Sequence, residues 1–200
     1  MQRKQGGQKR AFSVQQIQTL EALLTSSLDP RRRFTEYTLM RMAVDTMLRA
    51  SDLLKLRVRD VFWENEIVEK IELRQQKTDV PHIVILSEKT RNALKVYLLM
   101  HRPTATKIGQ AMNVMDCLLF PFEIRTYQRV VKSWAKMLQL EPRFYSSHSL
   151  RRTKAKLIYD RTQNIEVVRQ LLGQSSIEST RYYLGVELED AHRVAREIEI

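Results

Sequence analysis

Arg49 closes a strongly apolar stretch, Leu39 to Leu48, and Asp52 stands three residues beyond it. A guanidinium in such a place is costly unless it is paired or faces an anion. The plain alternative is an Arg49–Asp52 pair that trims a helix end. Lys77 lies in a polar turn, Gln76 to Val80, between β-rich runs. Turn lysines are usually just solvated. A hairpin tip can also enter a DNA groove and carry a mobile ammonium to a backbone oxygen. His148 and Arg151 are spaced i, i+3 behind Ser146 and Ser147, either of which can cap a helix. A helix start favours anions through its amides and dipole, so these two side chains would complete an oxyanion-binding corner. Arg152, Lys154 and Lys156 make the same stretch broadly basic, and a solvated basic helix is the bland reading. Gly173 can end a helix in the left-handed conformation, Ser175 or Ser176 can cap the next, and Tyr182 and Tyr183 close it. Alone, such tyrosines are usually packing residues with a wet hydroxyl.

These residues need elements to hold them. Ser13 caps a helical pattern running through Val14, Ile17, Leu20, Leu23 and Leu24. A polar break with Pro30 spans Ser26 to Arg33, and a core helix is expected over Thr35 to Ala50. A short helix follows from Ser51. The period then changes: Val58 to Trp63, Ile67 to Gln75 and His82 to Leu86 read as strands of one small three-stranded antiparallel sheet. From Ser87 the helical period returns, over Ser87–His101, Arg125–Leu140, His148–Asp160, Ile165–Leu172, Ser176–Tyr183 and Glu187–Ile198, with a loop over Arg102–Cys117. The expected fold class is α+β and mainly helical. Residues 1–12 are expected to form a flexible basic arm and residues 13–200 one domain.

Composition narrows the partner. The 200 residues carry 34 Lys plus Arg against 23 Asp plus Glu, a formal charge of +11, which favours a polyanion such as nucleic acid. The single cysteine, Cys117, cannot form an internal disulfide, and the expectation for it is a buried small hydrophobe. The four histidines are far apart, so no zinc motif is expected and no metal ligand is assigned. With five glycines, neither a P-loop nor a dinucleotide fingerprint can be written. No signal peptide or long apolar run stands out, so a cytoplasmic protein with no membrane partner is expected.

Together the segments resemble the catalytic domain of the tyrosine recombinase (phage-type integrase) family, from about Phe12 to the end. The family's first box, an Arg with an acid three residues on, is matched by Arg49 and Asp52, and its hairpin lysine by Lys77. Its HxxR box is His148-Ser149-Leu150-Arg151. Its last box, Leu-Gly with a tyrosine ten residues after the glycine, is matched by Leu172-Gly173 and Tyr183, which makes Tyr183 rather than Tyr182 the nucleophile. Three departures stand out. Gln174 replaces the usual His or Trp, though an amide can still donate to a phosphate oxygen. Met47 stands where glycine is common, which is expected to concern packing. The family usually carries an N-terminal core-binding domain that clamps DNA. About a dozen residues precede the first helix here, so that clamp is expected to be lacking.

The resemblance implies a site-specific recombinase or integrase that cuts and rejoins double-stranded DNA through a 3′-phosphotyrosine, with no cofactor, metal or ATP. It implies Arg49 and Arg151 on the phosphate oxygens, Tyr183 as nucleophile, His148 with Gln174 assisting its deprotonation, and Lys77 protonating the leaving oxygen. It implies a homo-oligomer, dimer to tetramer, on DNA; the last helix could dock on a neighbour or simply pack on its own domain, and helper proteins or an unusual target architecture could compensate for the clamp. A nucleoid-associated prokaryotic or phage-encoded protein of a mobile genetic element would fit. Two other readings are a non-catalytic DNA-binding regulator that kept the fold, and a type IB-like topoisomerase.

Overall fold

A computed structural model describes residues 9–26, 29–77, 79–101 and 113–185. The chain forms two compact units, one ending at Lys154 and one beginning at Ala155.

The first unit opens with α1 (Val14–Thr25), started by a capping box in which Ser13 and Gln16 satisfy each other's backbone amides. Asp29 caps α2 (Pro30–Thr46), and Pro30 takes the first helical turn, where its missing N–H costs nothing. The expected break through Arg33 is therefore shorter, because a proline that can stop a helix can also start one. Next come α3 (Ala50–Leu53) and α4 (Val58–Val61). Four small strands follow: β1 (Phe62–Trp63), β2 (Glu66–Ile67), β3 (Lys70–Arg74) and β4 (Pro81–Ile85). After them come α5 (Glu88–Met100), α6 (Ile124–Met137) and the start of α7 (Ser147–Thr162).

Buried side chains of these helices, including Leu20, Leu39, Met40, Leu94, Trp134 and Leu150, form one core. Each fully buried Leu contributes about 1.5–3 kcal/mol. Buried charge is paired. Glu36 accepts from the Trp134 indole at 2.9 Å and from Arg32 and Arg33 at 3.2 and 3.1 Å. Asp45 accepts from Lys154 Nζ at 2.6 Å and from the Ser87 amide at 2.7 Å, tying the end of α2 to the start of α5 and the middle of α7. Burial pushes the Asp45 carboxyl up, but Lys154 and Ser87 outweigh it and hold it below its ordinary value.

The single three-stranded sheet is corrected to two hairpins, β1 with β2 and β3 with β4. Glu64 and Asn65 both take positive φ, 48° and 65°, so the chain turns back at once and β1 pairs Phe62 with Ile67. Val58–Val61, expected as strand, is helical, because Asp60 accepts the Arg57 amide at 2.7 Å and starts a turn. The β3–β4 turn lies where the sequence put it, with Arg74 opposite Pro81. Cys117, expected buried, is only half-buried.

Of the expected arm, residues 1–8 lie outside the described residues. Lys9 to Phe12 are tied down: Arg10 N–H donates to the Phe144 carbonyl at 2.9 Å, and Phe12 N–H to Thr153 Oγ1 at 3.0 Å. The Phe12 ring is buried 4.5 Å from that of Tyr145. A hydrophobic residue two positions beyond a basic run is enough to dock its end.

The second unit contains the rest of α7, then α8 (Ile165–Leu172) and α9 (Ile177–Leu184), with Val168, Leu172, Thr180 and Leu184 buried. Gly173 ends α8 at φ 57°, and Ser176 caps α9 by accepting the Ser179 amide. The helix expected over Glu187–Ile198 lies outside the described residues.

Met47 is the C-cap of α2 in the left-handed region, φ 51° and ψ 26°, and its side chain is buried. The departure from glycine is thus conformational as well as a matter of packing. Left-handed backbone costs a non-glycine residue about 1–2 kcal/mol, whereas truncating a buried Met costs about 2–5. Met47→Gly is therefore expected to lower unfolding free energy by about 1–3 kcal/mol, read from urea denaturation; a gain would show that the strained backbone outweighs the side chain.

Candidate active site

Arg49 is placed by a chain reversal. Met47 ends α2, Leu48 is buried, and Arg49 takes extended backbone, φ −66° and ψ 151°, as the residue that opens α3. Its side chain is 19% exposed, and Nη1 donates to the side-chain oxygen of Gln75. Asp52 lies three residues on, in the first turn, where an acid suits the helix dipole. Its Oδ2 stands 3.9 Å from Arg49 Nη1, while its Oδ1 accepts the Gln76 amide at 3.0 Å. The pair trims the helix, as the plain reading held. It also anchors the base of the turn that presents Lys77, which is exposed. Arg49 and the Lys77 turn are thereby joined through Asp52 and Gln75.

The start of α7 is set by two serines. Ser149 N–H donates to the Ser146 carbonyl at 2.8 Å, and Ser149 Oγ accepts the Ser146 amide at 3.0 Å. This leaves His148 reachable by solvent on one side although protein also packs on its ring, and Arg151 buried one turn later, at 3% exposure. Arg152 donates to the Lys9 carbonyl at 2.5 Å, so the docked residues 9–12 brace the same turn.

Three of the sequence-derived residues are coupled electrostatically. The imidazole of His148 is held below its ordinary value of 6.5, first by the protein packed around the ring and then by the charges of Arg151, Arg152 and Arg49. All three guanidinium groups therefore act on one ring. In the second unit, Gln174 and Tyr183 share the α8–α9 hairpin. Gln174 has its carbonyl held by Arg169 Nη1 at 2.6 Å, and its side-chain amide lies 2.8 Å from the buried hydroxyl of Thr180. Tyr183 is half-buried near the end of α9, whereas Tyr182 is 75% exposed.

Reasoning from sequence missed Gln75, Lys154, Arg152 as a braced residue, and Thr180. Gln75 had a legible signal. Strand alternation turns Ile71 inward with Leu73 and Gln75, so a polar side chain follows two apolar ones on the inner face. Among the described residues, no group of three or more His, Cys, Asp or Glu could hold a metal ion.

The lowered pKa sets a sign for pH dependence. Between 6.5 and the lower folded value, the unfolded chain binds this proton and the folded chain does not. Acidification through that window therefore costs stability, and nothing further is lost through this group below it. The His148 ring is expected to titrate below 6.5 in an NMR series on the free protein; a midpoint at or above that value would mean that burial and the arginines do not act on it as described.

Residues 13–189 match the phage integrase family. Tyrosine recombinase XerA of Saccharolobus solfataricus is 28% identical over 170 residues, which cover 85% of this chain and 52% of that protein. The crystal structure of XerH site-specific recombinase bound to palindromic difH substrate, a post-cleavage complex, superposes with a TM-score of 0.71 at 18% identity, over 98% of this chain and 55% of that one. The catalytic domain of bacteriophage HP1 integrase superposes with a TM-score of 0.58 at 20% identity, over 94% of this chain and 95% of that domain. The chain spans about half the length of the curated relatives it matches, 52%, 45% and 54% of the first three. No helix among the described residues is long and apolar enough to cross a membrane. The boxes around Arg49, Lys77, His148–Arg151 and Gly173–Tyr183 thus sit in a fold shared with recombinase catalytic domains, and this chain belongs to the phage integrase family.

Proposed function

We propose that the chain cuts and rejoins double-stranded DNA as a site-specific recombinase, using Arg49, Lys77, His148, Arg151, Gln174 and Tyr183. The observation that supports this reading is that His148 lies within the electrostatic reach of Arg151, Arg152 and Arg49, which add to the lowering of its pKa by burial. A phosphodiester resists attack because its non-bridging oxygens are negative. Two permanently charged guanidinium groups offset that charge and the further charge of the transition state. They supply what a metal ion would otherwise supply.

The Tyr183 oxygen attacks phosphorus as its proton passes to neutral His148, with the Gln174 amide donating to a phosphate oxygen. The bond from phosphorus to the 5′ oxygen breaks, its electron pair stays with that oxygen, and the Lys77 ammonium supplies the proton. The products are a 3′-phosphotyrosine and a free 5′ hydroxyl. One phosphate ester has replaced another, so attack by a 5′ hydroxyl from a second strand restores DNA without ATP. Exchange between two duplexes requires several copies, which motivates a dimer-to-tetramer on DNA with helper proteins setting its architecture. A cytoplasmic, nucleoid-associated protein is the setting this chemistry fits.

A nicked suicide duplex, which lets the cleaved fragment diffuse away, tests the reading. A covalent protein–DNA adduct is expected in the presence of EDTA. It should vanish in Tyr183→Phe, persist in Tyr182→Phe, and form about 10²–10³ times more slowly in Arg49→Lys, which loses the planar fork. Absence of adduct from the native chain, or its survival in Tyr183→Phe, would sink the assignment.

A further inference from the structure

We propose that Gln75 is a positioning residue whose buried amide aims the Arg49 guanidinium while leaving its charge intact, and which fixes from the same position the turn carrying Lys77. The inference rests on the roles proposed above for Arg49 and Lys77.

Three features of Gln75 converge. It is 1% exposed, at the inward position where β3 runs into the turn. Its side-chain oxygen accepts from Arg49 Nη1. Its own backbone closes the turn: Gln75 N–H donates to the Val80 carbonyl at 3.1 Å, and the Gln75 carbonyl accepts the Asp79 amide at 2.8 Å. The next amide, Gln76, is held by Asp52 at 3.0 Å. One residue therefore sets the direction of an arginine and the shape of the loop that bears the lysine, and Asp52 locks both from the other side.

The choice of an amide over an acid is what points to function. Asp52 already stands 3.9 Å from Arg49. A second carboxylate in this buried spot would hold the guanidinium at least as firmly but would cancel the charge it offers to a phosphate. An apolar side chain would leave the charge but remove the acceptor that fixes the fork. A neutral acceptor satisfies both demands.

The test compares the native chain with Gln75→Glu and Gln75→Met, each checked for folding by circular dichroism. Readouts are duplex affinity, the rate of covalent adduct on the nicked duplex, and the His148 titration in the free protein. Gln75→Glu is expected to bind duplex within about threefold of the native chain, to form adduct at least about tenfold more slowly, and to raise the His148 pKa by neutralising Arg49. Gln75→Met is expected to form adduct at least about tenfold more slowly through loss of aim. A purely structural Gln75 would leave the adduct rate of folded variants unchanged. That result overturns the proposal, as does a slow Gln75→Glu with an unmoved His148. Either folded variant decides the matter, and if neither folds Gln75 is structural and the proposal fails. Absence of adduct from the native chain would instead sink the recombinase reading, while the His148 titration still reports whether Gln75 governs the Arg49 charge.

Discussion

Like charges share one region of the first unit. Arg49, Arg151 and Arg152 all press on the His148 ring. Like charges brought into one region repel, the more so the less water screens them. Such a cluster persists only if the backbone beneath it is tied down independently. The ties are visible: Asp45 binds Lys154 and Ser87, Phe12 binds Thr153, and Ser146 and Ser149 bind each other. His148 yields through a lowered pKa, which burial and these charges both favour.

The partners of the arginines follow a pattern. Where arginines serve packing, the fold gives them carboxylates: Glu21 takes Arg41 and Lys89, and Glu36 takes Arg32 and Arg33. Near His148 two of the arginines have neutral acceptors. Arg49 donates to the Gln75 amide, and Arg152 to the Lys9 peptide carbonyl. Asp52 is the exception, and it directs one oxygen to the Gln76 amide while standing 3.9 Å from Arg49. A partner that orients a guanidinium and a partner that neutralises it are different things, and the choice between amide and carboxylate separates them.

Much of this was legible before any coordinates. Helix starts at Ser13, Ser87 and Ser176 follow from capping chemistry, and the left-handed stop at Gly173 from the freedom of glycine. These are local effects, and local sequence encodes them. The tight turn at Glu64 and Asn65 and the helical Val58–Val61 were not legible, because a run of β-branched and aromatic residues reads as one strand until a single carboxylate, Asp60, starts a turn inside it. At the candidate site, residue types and spacing singled out Arg49, His148 and Arg151, since a charge beside an apolar run must have a reason. Their partners were hidden, because Gln75 lies 26 residues from Arg49 and Lys9 lies 143 from Arg152. Only tertiary structure pairs residues so far apart, although the inward face of β3 hinted at Gln75.

The backbone around Arg49 extends the same logic. A helix continued through Met47 would carry Arg49 onward along the axis of α2. Instead Met47 takes φ 51° at a cost, Leu48 is buried, and Arg49 emerges in extended conformation at the head of α3. α3 is only four residues long and contributes little stability of its own. Its use is geometric: it sets Asp52 three residues from Arg49, within reach of both the guanidinium and the Gln76 amide. Strained backbone, a marginal helix and a buried amide are each poor choices for stability taken singly. Together they fix one guanidinium against the base of the turn that carries Lys77, a choice that stability alone does not explain.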